Sequence, residues 1–319
     1  MSVSLRCYST SLGCPKNRVD TERLLGSLGV ALVPVESPDE AELVFINTCA
    51  FIQPATEESV RTIAQAIADI EELPKRPLLA VAGCLVGRYH AEDLAPELPE
   101  VDLWLDNSDL EAWPAMLARK LGLPEPTVPG RILSTGPSYA WLKISDGCRH
   151  ACSFCAIPNI RGGHRSHCKD MIVREARALL DQGVKELNLV AQDLTEWGCD
   201  LDGKQDLRTL LDGLLPLQGL ERLRLMYLYP AGMTHEMLKY LREAGKPFVP
   251  YFDVPVQHSH PDVLSRMGRP SARNPREAID RIRNVFPEAA LRTSIMVGFP
   301  GETEEHFEHL REFIEEVRF

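Results

Sequence analysis

The chain has no apolar run near the roughly 20 residues that a helix needs to cross a bilayer. Its start, MSVSLRCYST, lacks the basic residues and apolar stretch of a secretory signal. These absences argue against a membrane partner and make the cytoplasm the expected compartment. Positive charge is also short, with 35 Lys and Arg against 46 Asp and Glu and a net charge of -11. The chain as a whole therefore does not attract a phosphate backbone; no DNA partner is expected, and a basic partner suits it better. There is no low-complexity tract and no internal repeat, which excludes solenoids and propellers.

What is present is a globular composition. A chain of 319 residues with 44% hydrophobic and 25% charged residues can bury a substantial core and is expected to hold two domains. The nine cysteines are an odd number for a secreted disulfide framework. In a reducing compartment, clustered cysteines point to metal or catalytic work.

The hydrophobic pattern is α/β throughout. Short apolar strands at LRCYST, VALVPV, ELVFINTC, PLLAVAGC and VDLWLD alternate with helical patterns near Arg18–Leu28, Ala55–Leu73 and Leu110–Leu121. That alternation predicts an N-terminal doubly wound parallel-sheet domain over residues 1–124. The Pro-, Gly- and Ser-rich stretch from Leu121 to Ser138 reads as a linker, taken as residues 125–138. From 139 to 319 the alternation resumes with strands at YAWLKIS, KELNLVAQ, RLRLMYLYP, YFDVPVQH and LRTSIMVGFP. Five β-then-α units suit a partial (β/α) barrel with its active site at the C-terminal strand ends. The last helical pattern, Glu302 to Val317, runs into the chain end with no closing strand, so the barrel is expected to be incomplete and truncated there.

Cys148, Cys152 and Cys155 fall in one loop just past the first barrel strand, with no matching fourth cysteine nearby. Three thiolates can hold three irons of a 4Fe-4S cluster and leave the fourth open to an exogenous ligand. The alternatives are a zinc site completed by His150 or His164, or free buried cysteines. The x-x-x then x-x spacing is not the pair of pairs with which zinc usually closes its tetrahedron. Cys14, Cys49 and Cys84 are far apart in sequence, yet each follows a predicted strand of the first domain. In a parallel sheet those ends share one edge, where open α/β folds bind ligands. With Gly13 and Gly83 permitting close backbone approach, they favour a second cluster over three ordinary buried cysteines. Cys7, Cys168 and Cys199 have no such partners and read as structural or incidental.

The stretches GCPKNRVDTE, NTCAF, AGCL, LKISDGCRHACSFCAIPNIRG, VAQDLTEWG, DVPVQHS, RMGRP and IMVGFPGETEE together resemble the radical S-adenosylmethionine (SAM) methylthiotransferases over essentially the whole chain. GCPKN and CAIPNIRG resemble the branch that modifies an aspartate of small-subunit ribosomal protein S-twelve, rather than the branch acting on tRNA adenosine. The resemblance implies two 4Fe-4S clusters. The one on Cys148, Cys152 and Cys155 would bind SAM at its open iron and cleave it by one electron, giving a radical that abstracts hydrogen from the aspartate β-carbon. The one on Cys14, Cys49 and Cys84 would carry or supply sulfur, and a second SAM the methyl group. An electron donor such as flavodoxin or ferredoxin is implied as a partner, beside the ribosomal protein or the small ribosomal subunit. Rival readings are a tRNA methylthiotransferase and a non-catalytic iron-sulfur electron carrier.

The remaining expected cofactor contacts are Phe154, set between two cluster ligands; Gln192 and Asp193, then Gln257 and His258, at the ends of barrel strands; Arg269 in RMGRP; and Val297 in VGFPG, which resembles the family's adenine-pocket stretch. His167 stands where relatives often carry arginine, so the resemblance carries no substrate-binding role over to this position. The family's C-terminal TRAM domain has no counterpart in the sequence.

Overall fold

The computed structural model describes residues 4–269 and 274–319; Pro270 of the RMGRP stretch lies outside them. The chain divides into two compact units. One runs to Ser134 and takes in Asn159–Gly162; the other holds Thr135–Pro158 and the chain from Gly163 to Phe319.

In the first unit β1 (Ser4–Ser11), α1 (Pro15–Ser27), β2 (Ala31–Pro34), β3 (Leu43–Thr48), α2 (Gln53–Ile70), β4 (Leu78–Gly83), α3 (Cys84–Tyr89), α4 (Ala91–Leu94), β5 (Leu103–Leu105) and α5 (Trp113–Leu121) follow in order. The five strands are all parallel, in the order β2-β1-β3-β4-β5. The strand order reverses between β1 and β3, the position at which a doubly wound sheet opens a crevice beyond its carboxyl ends. β3, LVFINT, is buried at every position, as a central strand covered on both faces must be. Its Leu43 and Phe45 pack with Leu24 and Leu25 of α1 and Trp113 and Leu117 of α5. Val44 and Ile46 point to the other face, the side buried by Ile63, Ala66 and Ile70 of α2.

Helix α1 departs from the ordinary amphipathic pattern. Its buried residues include Lys16, Asn17, Asp20, Thr21 and Glu22, and polar groups taken out of water need partners. Glu22 Oε2 accepts from Arg131 Nε at 2.9 Å and Nη2 at 2.6 Å, and its Oε1 accepts from the Ser134 amide at 2.9 Å and hydroxyl at 2.6 Å. Thus the end of the Pro- and Gly-rich stretch is strapped onto α1 rather than hanging free.

The second unit contains β6 (Tyr139–Lys143), β7 (Ser145–Asp146), the first residues of the short helix α6 (Ile157–Arg161), β8 (Arg165–Ser166), α7 (Lys169–Asp181), β9 (Glu186–Val190), α8 (Leu207–Leu214), β10 (Arg222–Leu225), α9 (His235–Ala244), β11 (Phe248–Asp253), α10 (Pro261–Arg266), α11 (Pro275–Val285), β12 (Ala290–Arg292) and α12 (Glu304–Val317). Five parallel strands in the order β12-β11-β10-β9-β6 form the partial barrel. β7 and β8 pair antiparallel and clamp together the two ends of the loop that carries the clustered cysteines. No helix among the described residues is long and apolar enough to cross a membrane.

Candidate active site

In the first unit the switch-point edge gathers the scattered cysteines. Cys14 is the residue before α1, Cys49 follows β3 directly, and Cys84 opens α3 after β4. Gly13, at φ +82, has no room for a side chain, since a Cβ there would stand 2.8 Å from Cys49 Sγ and 2.7 Å from its Cβ. Gly83, at φ +98, is confined in the same way by Asn47 and Thr48. Polar side chains tie the strand ends together. Asn17 Nδ2 donates to Leu12 O at 3.0 Å and Thr48 O at 2.8 Å. Asn47 Nδ2 donates to Asn17 O at 2.9 Å, and Thr48 Oγ1 donates to Ala82 O at 2.6 Å. Ser59 of α2 holds Cys49 at both ends, accepting from its amide at 3.0 Å and donating to its carbonyl at 2.7 Å.

The thiols feel one another. A hydrogen bond from Cys49 pulls the Cys84 thiol down to about 6, with Arg161 adding its charge and a hydrogen bond against the opposing effect of burial. The same bond and burial push Cys49 upward, and Cys14 adds to the shift. Three thiols at one edge, with Cys49 coupled to both of the others, are a donor set suited to soft iron-sulfur ligation.

In the second unit Cys148, Cys152 and Cys155 lie half-buried in the loop after β6. Burial pushes the Cys148 thiol up to about 11, with Asp193, Cys155 and Cys152 adding to the shift while the His150 amide hydrogen bond lowers it. Burial also raises Cys155, and Cys152 adds to it. The three thiols therefore lie near enough for each one's charge to act on another. His150 N donates to Cys148 Sγ at 3.4 Å, and Cys155 N to Cys152 O at 3.0 Å. Arg269 Nη1 donates to Cys152 Sγ at 3.6 Å and Nη2 to Pro255 O at 2.9 Å.

A layered set of rings backs this loop. The Arg269 guanidinium lies 4.5 Å from the Tyr229 ring centroid, and Tyr229 stacks on His150 at 4.0 Å and 14°. His150 Nε2 meets Asp193 Oδ2 at 2.7 Å, while Asp193 Oδ1 accepts from Thr195 N at 2.8 Å and Thr195 Oγ1 at 2.7 Å. His150 is thus engaged with a carboxylate and a ring. His164 Nε2 meets Ser166 Oγ at 3.0 Å.

The other expected contacts separate into two groups. Phe154 and Val297 line one cleft of about 420 Å³ with Ser153, Met296, Gly298, Phe299 and Pro300, and Val297 is 58% exposed there. Gln192 Oε1, Arg269 Nε and Ser145 Oγ are buried without a hydrogen-bond partner. Orphaned polar atoms of this kind call for a ligand or water. Gln257, at φ +69, bridges to Ile295 and accepts from Met296 N at 2.7 Å, so its backbone aims the cleft wall.

His258 has no free face. It is wholly buried, its Nδ1 accepts from His260 N at 2.9 Å, and its Nε2 meets Glu302 Oε1 at 3.4 Å. Glu302 Oε2 in turn accepts from Phe299 N at 2.9 Å, so His258 supports the cleft wall from behind. His167 is similarly occupied, with Nε2 at 3.0 Å from Asp146 Oδ2 and Asp146 paired with buried Lys143 at 2.9 Å. Cys7 is buried in β1, with its thiol pushed up to about 12 by burial, and Cys168 and Cys199 are exposed.

Sequence reasoning missed Tyr229, the use of His150 as a stacking partner, and Arg161. Arg161 sits in the first unit, where its Nη2 lies 2.5 Å from Asn17 Oδ1 and 3.0 Å from Asp20 Oδ2. Its counterpart is the run of polar residues on α1, whose need for a partner shows only once their burial is known.

Comparison with known proteins places this geometry. Residues 142–314 match the Radical SAM superfamily, and residues 6–106 match the uncharacterized protein family UPF0004. The chain is 68% identical over 312 residues to the ribosomal protein uS12 methylthiotransferase RimO of Nitratidesulfovibrio vulgaris (strain DP4), covering 98% of this chain and 73% of that protein. It is 61% identical over 319 residues to the RimO of Lawsonia intracellularis, covering 72% of it. Among solved structures, the radical SAM methyltransferase TsrM from Kitasatospora setae, with tryptophan and a SAM analogue bound, shares the fold. Its TM-score is 0.70 at 15% identity, over 99% of this chain and 71% of that one. The chain therefore belongs to the radical SAM superfamily, which implies a 4Fe-4S cluster and SAM, and within it to the ribosomal protein uS12 methylthiotransferase family, RimO.

Proposed function

We propose that this chain carries two 4Fe-4S clusters and uses SAM to add a methylthio group to the β-carbon of an aspartate in ribosomal protein uS12. The observation that supports the reading is the placement of two separate sets of three cysteines, one at a sheet's switch-point edge and one in the loop after the first barrel strand. When bound, the clusters and SAM supply one-electron cleavage of a sulfonium, a sulfur source and a methyl group. Cys148, Cys152 and Cys155 hold the SAM-binding cluster; Cys14, Cys49 and Cys84 hold the other.

The remaining residues bind and shield. Phe154 and Val297 present an apolar cleft to the adenine end of SAM, and a dry wall there keeps water from a reactive centre. The orphaned Gln192 Oε1 and Arg269 Nε offer an acceptor and a donor for the polar end. Asp193 fixes His150, Gln257 fixes the cleft wall, and His258 supports it through Glu302. Phe154→Ala is expected to weaken SAM binding about tenfold, on the order of 1.4 kcal/mol for removing an aromatic ring from a binding face. Equilibrium dialysis checks it, and unchanged affinity removes Phe154 from the cofactor set.

The substrate argument rests on the RimO relatives and on charge. A chain with net charge -11 favours a basic protein loop over a polyanion, and complementary charge raises encounter rates. Reduction would come from a small electron carrier such as flavodoxin or ferredoxin in the cytoplasm. After anaerobic turnover with uS12 and with bulk tRNA, mass spectrometry is expected to find the methylthio group on the uS12 aspartate and none on tRNA. The apparent affinity for uS12 falls as ionic strength rises, because attraction between exposed charges is screened. Methylthioadenosine in tRNA with an untouched aspartate would assign the chain to tRNA instead.

A further inference from the structure

Arg161 is a cation buried beside a set of thiols, and everything around it serves to keep it there. Its side chain is 2% exposed, as is that of its partner Asp20. The pair spans 141 positions of sequence, at 3.0 Å. The same Nη2 reaches Asn17 Oδ1 at 2.5 Å, and the Cys84 thiol donates to that oxygen at 3.7 Å. The preceding residue is held just as closely: a Cβ on Gly87 of α3, the helix that Cys84 opens, would stand 2.4 Å from Ile160 O. Only a residue without a side chain lets the backbone of α6 lie this near.

A guanidinium keeps its charge under all ordinary conditions, and burying one beside a single carboxylate is costly without a return. Arg161 has more than Asp20 to face: it also donates to Asn17 Oδ1, the atom that accepts from the Cys84 thiol. Iron-sulfur potentials follow the net charge around the cluster and the hydrogen bonds to its sulfurs. Reduction adds one negative charge, so a fixed cation favours the reduced form and a fixed anion opposes it.

We propose that Arg161, held by Asn17 and Asp20, is the counter-charge of the centre ligated by Cys14, Cys49 and Cys84, and that the Arg161–Asp20 pair sets its reduction potential. The inference rests on the reading of those three cysteines as an iron-sulfur site. Arg161 is a positioning residue in this scheme. Its segment, Asn159–Gly162, follows closely on Cys155, so the loop that carries one thiol set runs on directly into the residue that tunes the other.

The test uses the full chain with Cys148, Cys152 and Cys155 replaced by alanine, so that one centre remains, reconstituted anaerobically and titrated potentiometrically with electron paramagnetic resonance as readout. Arg161→Met is expected to lower the reduced-to-oxidised ratio at fixed potential at least tenfold, which is about 59 mV for one electron. Asp20→Asn is expected to raise that ratio, and Arg161→Lys to stay nearer the parent. A merely structural role would change iron content or unfolding temperature and would not give shifts of opposite sign. Equal potentials in all variants, or shifts of Arg161→Met and Asp20→Asn in one direction, overturn the inference and leave the iron-sulfur reading intact. Should Arg161→Met hold too little iron to titrate, a rise in Asp20→Asn decides for the inference and no rise decides against it. If the parent itself takes up no iron, the iron-sulfur reading falls and the inference falls with it.

Discussion

Replacing Cys148, Cys152 and Cys155 together by alanine is expected to remove half of the reconstituted iron, from about eight atoms to about four under the usual ligation. It is also expected to abolish cleavage of SAM to 5'-deoxyadenosine. The two thiol sets belong to separate compact units, so loss of one leaves the donors of the other in place. Asn17, Asn47, Thr48 and Ser59 fix the strand-end set through hydrogen bonds that lie wholly within the first unit. Adding SAM should perturb the paramagnetic signal of the wild-type protein and leave that of the alanine variant unchanged, because only an unfilled iron position admits a new ligand. An anaerobic iron and sulfide count is the first measurement to make. Wild-type protein saturating at about four irons would refute the assignment of Cys14, Cys49 and Cys84; retained SAM cleavage in the alanine variant would refute that of the loop cysteines.

The parts of this site that could be read from the sequence are those whose signal is local. β3 opens on the apolar run LVFI and β4 reads LLAVAG because both faces are covered, and such runs between helical patterns identify a parallel sheet. Once strands are placed, a cysteine just past a strand has a known position on the sheet edge, which is why Cys14, Cys49 and Cys84 could be brought together from afar. The ring stack was not legible in the same way. Nothing in the local sequence of His150, Tyr229 or Arg269 says that three separate loops bring them face to face. His258 shows what the strand-end rule does not reveal: the residue there is engaged by its neighbours, the His260 amide and Glu302. The ribbon of β7 and β8 escapes notice because each strand is only two residues long, too short to show a period. Arg161 was invisible for a different reason. Its environment is set by Asp20, 141 positions away, and the polar face of α1 that calls for it resembles an ordinary solvated helix until the burial is known.

Gly13→Ala is expected to strip the iron held by Cys14, Cys49 and Cys84 while SAM cleavage persists. Two costs act at once. The backbone there has φ +82, and an L side chain in the left-handed region costs roughly 1–2 kcal/mol. The added methyl would also fall 2.8 Å from Cys49 Sγ and 2.7 Å from its Cβ, distances at which something must move. The Cys49 side chain is what can move, since Ser59 holds only its backbone, whereas Gly13 is bounded by the Leu12 amide bonded to Asn47 O at 2.8 Å. A displaced Cys49 breaks the convergence of the three thiols, and ligation falls more steeply than stability because a cluster needs all of its donors within bonding distance at once. Gly29→Ala is the control. It has φ +67 and no atom within 4 Å of the added methyl, so it bears the backbone cost alone and should keep its full iron content. Thermal unfolding of both apo variants with iron counts on both reconstituted ones separates the two effects. Equal unfolding temperatures and equal iron in the two variants would show that Gly13 is kept for its backbone angle and that Cys49 does not need the space beside it.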